Sequence, residues 1–163
     1  MKNYIDVTKE WLESATPNTH KVKDRYYYVH KGIKYKVYKK EVVLDYSKKE
    51  KEIAEWLENT FGGKIFILPK VNKPKCIKTA DYLFKNEHWD LKEIYGKSRQ
   101  VLYHAIYRKK KQSPNFIFDT SNSELDLESL INQVQELYSR KDLSFIRKII
   151  LKNKNEVKVY KRK

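Results

Sequence analysis

Two strongly β-forming runs, HWDLKEI (88–94) and NFIFDT (115–120), are separated by a stretch of helical spacing that Pro114 closes. In that stretch Val101, Leu102, Ala105 and Ile106 supply an apolar side. Strand, helix and strand in this order require a crossover, because neighbouring parallel strands cannot be joined by a tight turn. The chain is therefore expected to form a mixed sheet with helices packed on it, and the crossover to be right-handed.

The remaining elements fit that frame. Residues 47–61 read as a helix: Ile53, Ala54, Leu57 and Phe61 recur at helical intervals, and Gly62-Gly63 ends it. Ser47 and Glu50 have capping-box spacing at its start. KIFILP is a short strand stopped by Pro69, and a basic loop at 70–79 follows. ADYLF (80–84) forms a hairpin with HWDLKEI across Lys85-Asn86-Glu87. Gly96-Lys97-Ser98 opens a helix expected to run to Gln112. Residues 125–140 carry one apolar stripe, Leu127, Leu130, Ile131, Val134, Leu137 and Tyr138. A final strand or hairpin turns at Asn153-Lys154-Asn155. The expected fold is α/β (α+β), with a mixed central sheet flanked by helices in the order α-β-β-β-α-β-α-β. That core spans 46–163. Residues 1–45 are expected as an extension containing a β-hairpin, RYYYVH and IKYKVYKKEVV around Lys31-Gly32. Its tyrosines either pack on one face or offer an RNA-stacking surface.

Charge limits the partners. Lysine and arginine number 36 against 21 acids, a formal net charge of +15. Such an excess points to a polyanion, with nucleic acid ahead of an anionic membrane surface. The single cysteine, Cys76, forms neither an internal disulfide nor a cysteine zinc site, which fits a reducing compartment. The start, MKNYIDVTKEWLE, lacks the apolar run of a secretory signal. No stretch reaches the ~20 apolar residues that span a bilayer. The expected place of action is the cytoplasm.

Chemistry concentrates around three residues. Strand alternation puts Asp90 and Lys92 on one face of HWDLKEI, with Trp89 and Leu91 on the other. Asp81, on the partner strand, lies away from the hairpin turn, toward Asp90 and Lys92. A solvated salt-bridge ladder accounts for such an arrangement as readily as an active site does. Glu50 shares a helix face with Ile53, Ala54 and Leu57, so it serves either as a cap partner of Ser47 or as a further acid of the site. His104, Arg108 and Gln112, spaced by four, share a face of the next helix. Arg108 begins a run through Lys111 that suits phosphate or a helix dipole. His104 is open to three roles: surface residue, phosphate contact, or general acid or base. Asp119, ending NFIFDT, is either a second acid or a local cap.

The spacing Asp81…Asp90-x-Lys92 resembles the PD-(D/E)xK nuclease motif. More widely, the chain from Glu50 to Lys163 resembles the C-terminal nuclease domains of contact-dependent growth inhibition (CDI) toxins, of the CdiA C-terminal tRNase type. Similar domains occur in phage and mobile-element proteins. The residues carrying this are the helix with Glu50, Ala54 and Leu57, then Phe61-Gly62 and ILP at 67–69. Ala80-Asp81-Tyr82, Trp89-Asp90-Leu91-Lys92, Lys111-Gln112 and Phe118-Asp119 complete it. Ala80 stands where the motif usually has proline.

The resemblance implies a PD-(D/E)xK restriction-endonuclease-like core that hydrolyses phosphodiester bonds in tRNA, other structured RNA or DNA. It implies a divalent metal (Mg²⁺, Mn²⁺ or Zn²⁺) held by Asp81, Asp90 and Glu50. Lys92 would polarise the attacking water and offset phosphate charge. His104, Arg108, Lys111 and Gln112 would contact substrate, and a cognate immunity protein would block the site. Two alternatives stay open. One is a metal-independent RNase of the barnase, EndoU or colicin type, using Lys92, His104 and Arg108. The other is a nucleic-acid-binding module without catalysis.

Overall fold

The computed structural model describes residues 2–107 and 113–163. In chain order the strands and helices begin with β1 (Tyr4–Asp6), α1 (Thr8–Glu13), β2 (Lys23–Asp24), β3 (Tyr27–His30), β4 (Ile33–Lys36) and β5 (Val42–Val43). They continue with α2 (Lys48–Thr60), β6 (Ile65–Ile67), β7 (Lys70–Val71), β8 (Tyr82–Phe84) and β9 (Glu87–Glu93). The last are α3 (Val101–Ile106), β10 (Asn115–Asp119), α4 (Leu127–Ser139), β11 (Lys148–Asn153) and β12 (Glu156–Arg162). These elements group into two compact units. One comprises Leu12–Trp89; the other comprises the residues up to Trp11 with Asp90–Lys163.

In the second of these units β10 is central. It pairs parallel with β11 on one edge and with Asp90–Glu93 of β9 on the other. The expected crossovers are filled by α3 and α4. The hairpin β11–β12 is antiparallel, and β1 adds to the far edge of β12, Tyr4 opposite Arg162. The sheet is therefore mixed, and every residue of β10 is buried, as a strand covered on both faces must be. Strand β1 lies within the segment expected to be an extension, and its Tyr4 stacks on Tyr138 with ring centroids 5.0 Å apart.

The helices bury the stripe read from the sequence. Asp126 caps α4 by accepting the Ser129 N–H at 2.8 Å. Leu130, Val134, Leu137 and Tyr138 then pack with Phe116, Phe118, Ile149 and Leu151 of the strands and Leu102 and Ile106 of α3. Helix α3 starts later than expected, at Val101, with no cap from its own Gln100. The cap comes from α4 instead. Gln133 Oε1 accepts the Leu102 N–H at 3.1 Å, and Nε2 donates to the Ser98 carbonyl at 3.0 Å. One buried amide thus satisfies a helix start and a loop carbonyl at once. Residues 108–112, expected to extend this helix, lie outside the described residues.

The unit Leu12–Trp89 is built on α2 and a sheet in which β6 lies between β2 and β8. Strand β8 pairs antiparallel with Glu87–Trp89 of β9 across a turn of Lys85 and Asn86, both at positive φ. Ser47 Oγ accepts the Glu50 N–H at 3.0 Å, the N-cap bond that the spacing foretold, and donates to Glu50 Oε1 at 3.4 Å. The expected tyrosine-rich hairpin is present as β3–β4, with Lys31 and Gly32 at φ 50° and 78°. Its second run breaks after Lys36, and β5 pairs with the short β7 instead. Among the described residues no helix is long and apolar enough to cross a membrane.

Gly62 and Gly63 both follow α2 at positive φ, but only one is crowded. A Cβ on Gly62 would lie 1.8 Å from the Thr16 carbonyl oxygen; at Gly63 it would meet nothing within 4 Å. Gly63→Ala should therefore cost only the left-handed penalty, about 1–2 kcal/mol. Gly62→Ala should cost at least ~3 kcal/mol, because a backbone segment must move. Urea unfolding of the two variants checks the difference.

Candidate active site

Strand alternation places Asp90 and Lys92 together, as the sequence requires. Their register partners on β10 are Phe116 and Phe118. Paired residues of parallel strands share a face, so the two charges stand on the side of the sheet that carries the aromatic core. Asp90 is 3% exposed and Lys92 9%. Lys92 Nζ lies 2.5 Å from Asp90 Oδ2, so the two form a buried ion pair. The solvated-ladder alternative fails on burial. Two charges withdrawn from water beside phenyl rings carry a desolvation cost that their mutual attraction only partly offsets.

A second acid–lysine pair, missed in the sequence, sits at the last residue of β10. Asp119, 2% exposed, is 3.7 Å from Lys152 Nζ and accepts the Ser121 O–H at 2.7 Å and its N–H at 3.2 Å. Lys152 also donates to Ser121 Oγ at 3.1 Å. Asp119 thus fills its local-cap role. The signal was present: Asp119 and Lys152 fall opposite each other once β10 and β11 are parallel.

His104 is exposed on α3, beside the stacked rings of Tyr103 and Tyr107, each with its centroid 6.1 Å away. Tyr103 itself hydrogen-bonds Asp142 at 3.2 Å and carries the Arg140 guanidinium 3.8 Å above its ring. Arg108, Lys111 and Gln112 lie outside the described residues.

In the unit Leu12–Trp89, Asp81 stands just before β8. Its N–H donates to the Trp89 carbonyl at 3.0 Å, and its carbonyl accepts the Leu68 N–H at 3.0 Å, so its backbone is fixed on both sides. The adjacent Tyr82 donates its hydroxyl to the Glu50 carbonyl at 2.5 Å, which ties the first turn of α2 to β8. The Glu50 carboxylate accepts the Ser47 hydroxyl and lies 4.0 Å from Lys70. Among the described residues no three His, Cys, Asp or Glu side chains gather where they could share one ion. Asp90 already faces Lys92, and Asp119 faces Lys152 and Ser121.

Comparison with known proteins bears on this geometry. Residues 78–157 match the family described as the contact-dependent growth inhibition CdiA C-terminal domain. That segment is a CdiA C-terminal domain. It contains Asp81, Asp90, Lys92 and His104, and leaves Glu50 outside. A chain of the solved CdiA-CT/CdiI toxin and immunity complex from Burkholderia pseudomallei is 19% identical, with a TM-score of 0.55. The match covers 69% of this chain and 82% of that one, and it shows a shared fold. No curated protein matches. The chain is thus a mixed α+β fold with a large mixed sheet flanked by helices.

One further buried group was not foreseen. Tyr28 is 3% exposed; its hydroxyl accepts the Ala80 N–H at 3.1 Å and lies 3.4 Å from His88 Nδ1. Burial, and then the Arg25 charge, hold the His88 imidazole below the usual histidine range. A lowered folded pKa means that the unfolded chain binds more protons, so stability is full above about pH 6.5 and declines as pH falls through the folded value. His88→Gln should flatten this acid limb, leaving unfolding free energy less dependent on pH between about 5 and 7. Urea titrations across that range measure it.

Proposed function

We propose that this CdiA C-terminal domain is a nuclease that hydrolyses phosphodiester bonds in tRNA or other structured RNA, with Asp90 and Lys92 at its centre. The observation that carries the reading is the buried Asp90–Lys92 pair, inside the matched segment and on the strand where the PD-(D/E)xK resemblance puts an acid and a lysine. A phosphodiester arriving there would exchange partners with the pair. The Lys92 ammonium would turn from the carboxylate to a non-bridging phosphate oxygen and offset the charge that grows in the transition state. Asp90, freed of its cation, would accept a proton from the attacking oxygen. Asp81 is the next acid to consider, its backbone fixed at the entry to β8. Glu50 and His104 are assigned helper and substrate-contact roles, and Arg108, Lys111 and Gln112 phosphate contacts.

The divalent ion that the resemblance implies belongs to this proposal as a variable. A metal-independent RNase is the second reading, and the occupation of Asp90 by Lys92 rather than by a cluster of acids favours it. DNA is the alternative substrate. An immunity protein is the proposed partner, since the structural neighbour is a toxin and immunity complex. The cytoplasm is the proposed place of action.

Total tRNA and plasmid, each incubated with and without EDTA, test the reading. Wild-type protein should cut tRNA, and Asp90→Asn or Lys92→Gln should lower the rate at least ~100-fold. Loss of cutting in EDTA would assign a metal mechanism, and full activity there a metal-free one. If neither tRNA nor plasmid is cut with Mg²⁺, Mn²⁺ or Zn²⁺, the nuclease reading is wrong.

A further inference from the structure

We infer that the β3–β4 hairpin, with the residues just before it, is a binding surface for single-stranded RNA. Phosphates are held by Arg25, Lys34 and Lys36, and bases stack on Tyr26 and Tyr38. The inference rests on the nuclease reading only for its choice of ligand.

Charge comes first. Residues 21–40 hold eight lysines and arginines against one acid, Asp24. A net +7 within twenty residues is nearly half of the chain's +15. Cations this dense repel one another.

The tyrosines divide into two sets. Tyr28 is buried and Tyr35 half-buried, and both pack against the small core of Val42, Leu68, Val71 and Ala80. These are the structural tyrosines. Tyr26 and Tyr38 are 63% and 55% exposed, and packing does not account for them. An exposed tyrosine ring flanked by cations offers a flat face to a base and a charge to the phosphate beside it.

Arg25 gives the surface a fixed point. Its backbone N–H donates to the Ile67 carbonyl at 2.9 Å, anchoring it to β6. Its guanidinium lies 4.4 Å from the Tyr27 ring centroid and 5.0 Å from that of Phe66. Stacking of this kind sets the guanidinium plane and leaves N–H edges for bidentate capture of a phosphate. Lys34 Nζ is held 4.2 Å from the same Tyr27 ring. Two cations on one aromatic ring, with exposed rings to either side in sequence, of which Tyr38 has the Lys39 ammonium 5.1 Å from its centroid, match a polymer that alternates anion and base. An acidic protein would use the charges but not the rings. Only unstacked bases present their faces, so the ligand is single-stranded: a loop or an end.

The test is binding of a labelled 2′-O-methyl oligoribonucleotide in EDTA, which blocks cleavage by either mechanism. Tyr26→Ala/Tyr38→Ala should weaken binding about 10- to 100-fold with the salt dependence unchanged. The conservative Tyr26→Phe/Tyr38→Phe should retain it. Arg25→Gln/Lys34→Gln/Lys36→Gln should reduce the slope of log K against log salt by about 2, at about 0.7 per cation. A duplex of the same sequence should compete poorly. Wild-type affinity and slope in both sets of variants, with urea unfolding unchanged, would overturn the inference and leave the surface to an acidic protein. Equal competition by the duplex would overturn its single-stranded part. Hairpin-dependent binding without cleavage of any substrate would keep this inference and remove the nuclease reading.

Discussion

A strand that runs parallel to both of its neighbours can be reached and left only by crossovers, and β10 is such a strand. Its two edges are filled by β9 and β11, and none of its five residues is exposed. Helices α3 and α4 exist where they do because those crossovers must cover a sheet face. Their apolar stripes meet Phe116 and Phe118, and Gln133 closes the start of α3. The Arg162 guanidinium then finishes the arrangement by donating to the carbonyls of Ile146, Tyr138 and Leu143 at 2.7, 3.2 and 3.0 Å. These carbonyls lie where α4 ends and the chain turns toward β11, so one side chain of β12 satisfies groups that would otherwise be orphaned.

The same packing makes the Asp90–Lys92 pair conspicuous. A core built from phenyl, leucyl and isoleucyl side chains gains nothing from an ion pair in its midst. Buried pairs of this kind are typically no better for stability than apolar residues of the same volume. A fold that keeps one therefore carries it for another purpose. Under the proposed function that purpose is chemistry on a phosphate, for which a lysine and a carboxylate within hydrogen-bonding reach are a minimal acid–base and charge-stabilising set. Asp119–Lys152 differs, because Ser121 completes its hydrogen bonding.

Much of this was legible from periodicity. The crossover, the stripe of α4, the Ser47 cap of α2, and the shared face of Asp90 and Lys92 all follow from local spacing, and local spacing is what a sequence displays most directly. What stayed hidden depends on partners distant in sequence. The pairing of β1 with β12 joins the two ends of the chain. The cap of α3 comes from a glutamine 31 residues further on. Tyr28 meets His88 across 60 residues. The buried state of Asp90 and Lys92 was equally out of reach, since alternation fixes which face a side chain takes but not what covers that face.

The central claim is that Asp90 and Lys92 are retained for catalysis at the expense of stability. The most direct measurement compares the double variant Asp90→Leu/Lys92→Met with wild type in urea unfolding and in tRNA cleavage. The account predicts a folded protein as stable as wild type or up to about 1–4 kcal/mol more so, with cleavage lost. A double variant that cuts tRNA at the wild-type rate would contradict it.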